Sequence, residues 1–548
     1  MSSPPTAPPQ PPVTTPDGGS PSSRPGPVSR VLALLRNTWR GLTSMRTALV
    51  LLFLLALAAL PGALLPQRSL NAFLVEDFYR DNPALAPVVE ALGGFEVFAS
   101  PWFAAIYLLL MISLVGCVLP RTAEYLRSVR QPPVMTPRNL ARLPHHAEGV
   151  SAAPADDELA RARDLLRGWR RAERTEDDGA RTISAEKGFL RETGNLVFHL
   201  SLIGILLGLA AGKMYGYEGD VIVRADGSEF CNSSILGYDS FRAGLRVDGT
   251  DLNEFCVRVD RFDGTWLPNG QPSTFGASVG YQTGQDVRDG VPTWRPDEIA
   301  VNHPLRTDGD RVYLTGYGYA PEFTVTWPDG QSRTGEIQWR PVDQSGTQLS
   351  EGATKFERPG VTDPERRRTS QIAVTGTFAP TGAVDPQGKL VSVHPDLRSP
   401  TADVEVLLGD LGIDDGRGQS IFSVDQQKID DGELRSVATA RLGIGDTVRL
   451  PDGTVVRFDG VTPWVNLQVG HDPGQTWVLA AAVLMVGGLA LSLSVTRRRF
   501  WVRVTPAATG DGSRIQLGGL ARTDRAGYGE EFDRLTAELL DPTDTKDG

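Results

Sequence analysis

Gly194-Asn-Leu-Val-Phe-His-Leu-Ser-Leu-Ile-Gly-Ile-Leu-Leu-Gly-Leu-Ala-Ala-Gly212 is an apolar stretch with a single histidine, His199, inside it. An apolar run of about 18 residues suffices to cross the hydrocarbon core of a bilayer as a helix. An unpaired imidazole is costly in that medium, so His199 reads as a functional residue: a ligand to a metal or haem iron, or a proton carrier. The plainer alternative is a hydrogen bond to a neighbouring helix.

Residues 47–65, 102–119 and 477–495 match that stretch in length and apolar content. With 194–212 they predict a multi-pass membrane protein of four transmembrane helices. Positive flanks stay in the cytoplasm, and the arginines and lysines fall on one side throughout. Arg30, Arg36, Arg40 and Arg46 precede the first helix, and Arg121, Arg127, Arg130, Arg138 and Arg142 follow the second. Lys187 and Arg191 precede the third, and Arg497, Arg498 and Arg499 follow the fourth. Both termini and residues 120–193 are therefore expected in the cytoplasm of a bacterial cell, with 66–101 and 213–476 outside. The first run is too long for the core of a cleaved signal peptide and its Pro-rich leader is a poor start for one, so it is expected to remain as an anchor.

Residues 213–476 carry 39 acidic against 25 basic side chains, which accounts for all of the chain's net charge of -11. Such a surface excludes nucleic acid as a partner and suits either solubility alone or the docking of basic proteins. Helical periodicity fades in this segment. Runs at 219–224, 255–260, 311–315, 322–327, 403–408 and 447–450 are strand-like, and the pairs Asp329-Gly330, Asp452-Gly453 and Asp459-Gly460 read as turns. A large extracytoplasmic β-rich domain, sandwich or barrel-like, is expected, with an exposed insertion between Asp343 and Arg368. Residues 1–28 read as a disordered cytoplasmic tail. In the cytoplasmic segment, residues 157–171 predict an amphipathic helix and 181–185 a short strand. The cytoplasmic tail 496–548 turns polar after Thr505, with a short helix near residues 530–540.

Three cysteines occur. Cys231 and Cys256 fall in the outer segment, where a disulfide between them can persist. No Cys-x-x-Cys, Cys-x-x-Cys-His, Gly-x-Ser-x-Gly, phosphate-binding loop or His-Glu-x-x-His is present, which leaves no catalytic constellation in this chain. His199 follows Arg191 by eight residues, about 12 Å of helix, in the inner half of the membrane. Cys117, three residues before Pro120, falls at similar depth, either as a small buried side chain or as a ligand contact. His471, before Asp472 at the outer end of the fourth helix, either fixes the turn into the membrane or serves as a ligand on the outer side. His145, His146, His303 and His394 suggest no role.

Ser100-Pro-Trp-Phe with Leu114-Val-Gly-Cys117, Lys187-Gly-Phe-Leu-Arg-Glu-Thr-Gly-Asn-Leu-Val-Phe-His199, Val301-Asn-His-Pro-Leu-Arg and Asn466-Leu-Gln-Val-Gly-His-Asp-Pro-Gly474 resemble the ResB (Ccs1) family of cytochrome c biogenesis proteins, over about residues 36–503. The resemblance implies a component of the system II pathway. Such a component works with a ResC (CcsA)-like membrane protein to take haem across the membrane and present it for covalent attachment to an apocytochrome c. This chain lacks the Trp-Gly-x-x-Trp-x-Trp-Asp pattern of that partner, and any synthase activity would belong to the complex. By the resemblance His199 is a ligand to haem iron shared with the partner, Cys117 a haem contact and His471 a less secure one, since relatives often carry another residue there. The main alternative is a membrane-anchored binding or sensory protein without haem chemistry, which would have no use for an intramembrane histidine.

Overall fold

The computed structural model of the protein describes residues 27–70, 72–342, 346–413, 416, 420–507, 512–521 and 528–540. Most of the expected N-terminal tail, part of the expected insertion and the last eight residues lie outside these. The chain forms two compact units, one of Met1–Leu206 with Leu479–Gly548, the other of Leu207–Val478.

Four helices are long and apolar enough to cross a membrane: Met45–Leu64, Pro101–Arg130, Leu190–Tyr215 and Gln475–Ser494. They are called the first to fourth spans. Their side chains remain largely uncovered; Phe53 is 68% and Val483 65% exposed, as expected of surfaces whose solvent is lipid. Ser44 and Ser100 cap the first two spans by accepting from Thr47 N and Phe103 N, and Pro101 occupies the first helical turn, where its missing N–H costs nothing. The second span runs through Pro120 to Arg130, eleven residues beyond the apolar run, because its polar end continues as ordinary solvated helix. Small residues let the spans approach closely. A Cβ on Gly194 would meet the backbone of Gly488 at 2.6 Å, and one on Gly116 would meet Thr43. The Pro27–Leu42 helix before the first span exposes Leu32, Leu35 and Trp39, an amphipathic pattern suited to a membrane surface.

Two parts of the first unit are more ordered than the sequence suggested. Between the first two spans, helices Ala72–Asp81 and Ala86–Ala91 enclose a small core of Val75, Ala86 and Phe95. Buried Gln67 ties the segment by donating to Gly94 O and accepting from Val97 N. The segment before the third span and the C-terminal tail together build one antiparallel sheet, in the order His145–Ser151, Ser513–Ala521, Arg498–Pro506, Arg181–Lys187, Arg170–Thr175. Helices Ala155–Leu165 and Tyr528–Leu540 pack on it, with Leu159, Ile183, Phe500, Val502, Val504 and Phe532 in the core. Residues 500–504 are rich in aromatic and β-branched side chains, a strand signal hidden inside what reads as a positive flank. The helix expected over 157–171 stops at Leu165, and Trp169, just before strand Arg170–Thr175, packs against the same core.

The second unit is the β-rich one, built of open sheets rather than a closed barrel. Its spine is a pair of 17-residue strands, Asp310–Thr326 and Val455–His471. They run antiparallel in a seven-stranded sheet with Tyr217–Arg224 against the second of them. At one end Val312, Leu467 and Val469 share a core with the four-stranded sheet that contains Cys256–Trp266. At the other, Phe323, Val325, Val456 and Phe458 share a core with the five-stranded sheet of Arg340–Pro341, Ser350–Phe356, Gln371–Ala379, Thr401–Gly409 and Leu434–Gly443. All six strand-like runs are strands, those at 311–315 and 322–327 being halves of one. Gly330 and Gly453 do turn the chain, with φ of 84° and 92°. Asp459-Gly460 does not: it sits inside the long strand where the register against Glu322 and Phe323 shifts, a β-bulge. The expected insertion after Asp343 contributes the buried strand Ser350–Phe356, whose Ala353 and Phe356 lie among polar neighbours that mask them in the sequence.

Cys231 and Cys256 are directly opposed across two strands and their sulfurs are bonded, closing a separation of 25 residues. Replacing both by alanine is expected to cost roughly 3 kcal/mol through the freed loop. Alkylation of the denatured, unreduced protein should label one cysteine, Cys117; labelling of three would remove the bond.

Candidate functional site

His199 lies two turns into the third span and donates from Nδ1 to the carbonyl of Asn195, one turn earlier, at 2.8 Å. A carbonyl can only accept, so this bond fixes the hydrogen on Nδ1 and leaves the lone pair on Nε2 for a ligand. The side chain lines a cleft of about 300 Å³ together with Cys117, Arg121, Tyr125, Asn195 and Arg497. The similar depth expected of His199 and Cys117 thus appears as a shared wall. Cys117 Sγ donates to Leu114 O at 3.2 Å within its own helix.

Polar ties set the two spans beside one another. The Tyr125 hydroxyl bonds the Thr193 hydroxyl, and the Tyr107 hydroxyl donates to Leu206 O. The end of the fourth span is tied in through Arg497, which pairs with Glu192 and with Glu186 at 3.0 Å while its guanidinium covers the Phe189 ring. Glu186 is 3% exposed, and its second partner, Arg499, lies at 2.8 Å. A buried carboxylate without such partners would be strongly unfavourable.

His471 has a different environment, in the other unit. Asp308 and Gly309, with φ of 48° and 91°, form the two-residue turn that starts the first long strand. Pairing of Arg311 with Gly470 then sets Asp310 beside His471, and the next strand over sets Tyr217 opposite His471. His471 Nδ1 lies 2.7 Å from Asp310 Oδ1, and the Tyr217 ring stacks on the imidazole at 5.2 Å. The Asp310 side chain is wholly buried. Asn253 donates to its Oδ1 at 2.8 Å, Asn232 to its Oδ2 at 3.2 Å, and the Tyr217 hydroxyl also donates to Oδ2. Tyr238 adds an outer bond to Asn232 Oδ1 at 2.8 Å. The hydrogen bond to Asp310 raises the His471 pKa above the ordinary imidazole value, against the opposing effect of burial.

The neighbour in sequence, Asp472, is not the principal partner; its Oδ1 accepts from Gly474 N and shapes the turn into the fourth span. Sequence reasoning missed Asp310, Asn232, Asn253 and Tyr217, since nothing local marks a partner 161 residues away from His471. Three other histidines are engaged within the fold. His394 bonds Leu267 O and accepts from Asp396 N, His303 makes a bridge with Ala300, and His146 bonds Leu143 O.

Among the described residues no group of three or more His, Cys, Asp or Glu side chains could hold a metal ion. The described residues alone therefore do not build a metal centre. His199 and His471 are single imidazoles, each with Nδ1 hydrogen-bonded.

A sequence model of the ResB-like family matches residues 45–533. The chain is also similar to proteins named cytochrome c biogenesis protein CcsB. That of Synechococcus sp. (strain JA-3-3Ab) is 26% identical over 525 residues, spanning 94% of this chain and 93% of the relative. That of Synechococcus sp. (strain CC9605) is 26% identical over 524 residues, spanning 94% and 98%. That of Prochlorococcus marinus (strain MIT 9303) is 24% identical over 516 residues, spanning 93% and 99%.

A raised His471 pKa has a definite sign. The stability contributed by the protonated imidazole on Asp310 is present below about pH 6.5, the unfolded-state value, and is lost as pH rises through the higher folded-state value. In melting curves of the detergent-solubilised full chain, the difference between wild type and His471→Gln should therefore shrink as pH rises above neutrality. A difference that grows with pH would show that Asp310 does not hold a protonated ring.

Proposed function

The chain belongs to the ResB-like family, and from that premise we propose that it acts in cytochrome c maturation as a membrane component that holds haem for attachment to an apocytochrome c. The observation that carries this reading is His199: an imidazole in a membrane-spanning helix, its Nδ1 spent on Asn195 O, its Nε2 left to a cleft walled by Cys117. Haem is the cargo, and an axial imidazole with a soft thiol nearby suits its iron.

The cleft offers one imidazole and about 300 Å³, the low end for a small-molecule site. A second wall and a second axial ligand are assigned to a partner of the ResC (CcsA) kind. By the positive-inside pattern the termini and the sheet that runs from His145–Ser151 to Arg170–Thr175 are cytoplasmic and the β-rich unit extracytoplasmic. That unit's excess of acidic side chains is then a docking surface for apocytochromes with basic faces, and His471, braced by Asp310, stands as a ligand on the outer side. A carboxylate behind an imidazole fixes its tautomer and strengthens it as a donor. An anchored sensory protein remains the other class of reading, and no observation in the structure favours it.

Replacing His199 by Ala should abolish haem absorbance of the complex purified with its partner, and c-type cytochromes should be lost from cells expressing it. Added imidazole should restore part of both. Unchanged haem content and unchanged cytochromes would reduce His199 to a packing residue.

A further inference from the structure

The His199 cleft does not end at the membrane-spanning residues. A second cleft of about 600 Å³ adjoins it, the two sharing Arg121, Glu192, Asn195 and Arg497 as lining residues. The larger cleft is basic: Arg121, Arg191, Arg497 and Arg499 face it against a single acid, Glu192. These four guanidinium groups are not equivalent. Arg497 and Arg499 are neutralised by Glu186 and Glu192. Arg121 and Arg191 make no ion pair and no side-chain hydrogen bond among the described residues. Two arginines without ion pairs, in a lining where Glu124 and Glu192 are the only acids, are a recognition element for anions, and the planar guanidinium fork matches carboxylate geometry in particular.

Their positions along the helices say which carboxylates. Arg121 is one turn beyond Cys117 on the second span, about 6 Å, and Arg191 is two turns before His199 on the third, about 12 Å. The cleft therefore presents an apolar end with an imidazole and a thiol, then charge at a distance that a flat ligand spans from its centre to its edge. We propose that Arg121 and Arg191 clamp the paired carboxylates of a porphyrin whose centre faces His199 and Cys117. Haem would thus be recognised edge first, by its propionates, independently of iron ligation. The clamp also fixes the approach: a ligand with two charged groups on one edge keeps that edge at the arginines and leads with its apolar side.

This rests on the haem-holding reading, and the test separates the two. Metal-free protoporphyrin IX has the carboxylates but no iron for His199, and its dimethyl ester lacks both. With the full chain in detergent, fluorescence titration should show the free acid binding more tightly than the ester by on the order of tenfold, as lost charge-assisted hydrogen bonds imply. The double substitution Arg121→Gln/Arg191→Gln should erase that preference, and Arg121→Lys/Arg191→Lys should keep part of it. His199→Ala should keep the preference while losing the axial-ligand absorbance seen with haemin. Equal binding of acid and ester by wild type, or an undiminished preference in the double Gln variant, would overturn the clamp. So would loss of the preference in nanodiscs made with phosphatidylglycerol but not with phosphatidylcholine, which would assign the arginines to lipid headgroups.

Discussion

The antiparallel register between Asp310–Thr326 and Val455–His471 determines more of the β-rich unit than any other interaction. One pairing supplies side chains to both large cores, and its bulge at Asp459 lets the strands twist from one core toward the other. The same register places Asp310 next to His471, with Tyr217 on the other side. A slip of one residue would turn each apolar row to the wrong face and also part the buried carboxylate from its imidazole. Asp310 is therefore both a product of the pairing and a check on it: displaced from His471 and the two asparagines, it would be a buried charge with too few donors.

Much of the membrane part is legible from single-residue properties. Length and apolarity find the four spans because the bilayer imposes both, and Ser100-Pro101 marks the start of the second because cap and first turn are chemically distinct. The proximity of Cys117 and His199 follows from counting residues from the charged flanks. What escapes is whatever depends on distant pairing. Phe500, Val502 and Val504 alternate with Arg499, Trp501 and Arg503, yet three consecutive arginines before them make the run look like a flank. Their partners, residues 181–187 and 513–521, complete the strand pattern only in space. Asp310 is one aspartate among many in an acidic domain, and only the register distinguishes it. Asp459-Gly460 shows the opposite error, since a turn-forming pair inside a long strand serves equally well to make a bulge.

The ion pairs around Glu186 show how the spans are held where the apolar surface ends. Within the membrane there is little hydrophobic force between helices, so close packing at glycine and hydrogen bonds must serve. Gly194 against Gly488 supplies the first, and Tyr125 with Thr193 supplies the second. At the polar boundary, Arg497 and Arg499 converge on one buried carboxylate and link the end of the fourth span to the strand that leads into the third. The sheet that residues 498–506 and 513–521 complete thus does structural service for the cleft, because it fixes the residues immediately before and after two of its walls.

The two candidate ligands differ in what stands behind the ring, and the difference has a chemical consequence. Behind His199 is a neutral backbone carbonyl of its own helix; it fixes the tautomer without adding charge. Behind His471 is a wholly buried carboxylate, which makes the ring more basic and a stronger donor once its proton is gone. The proposed ligand role for His471 would use Nε2 and leave the Nδ1 hydrogen on Asp310. The two rings thus differ in the charge behind them, neutral at His199 and anionic at His471.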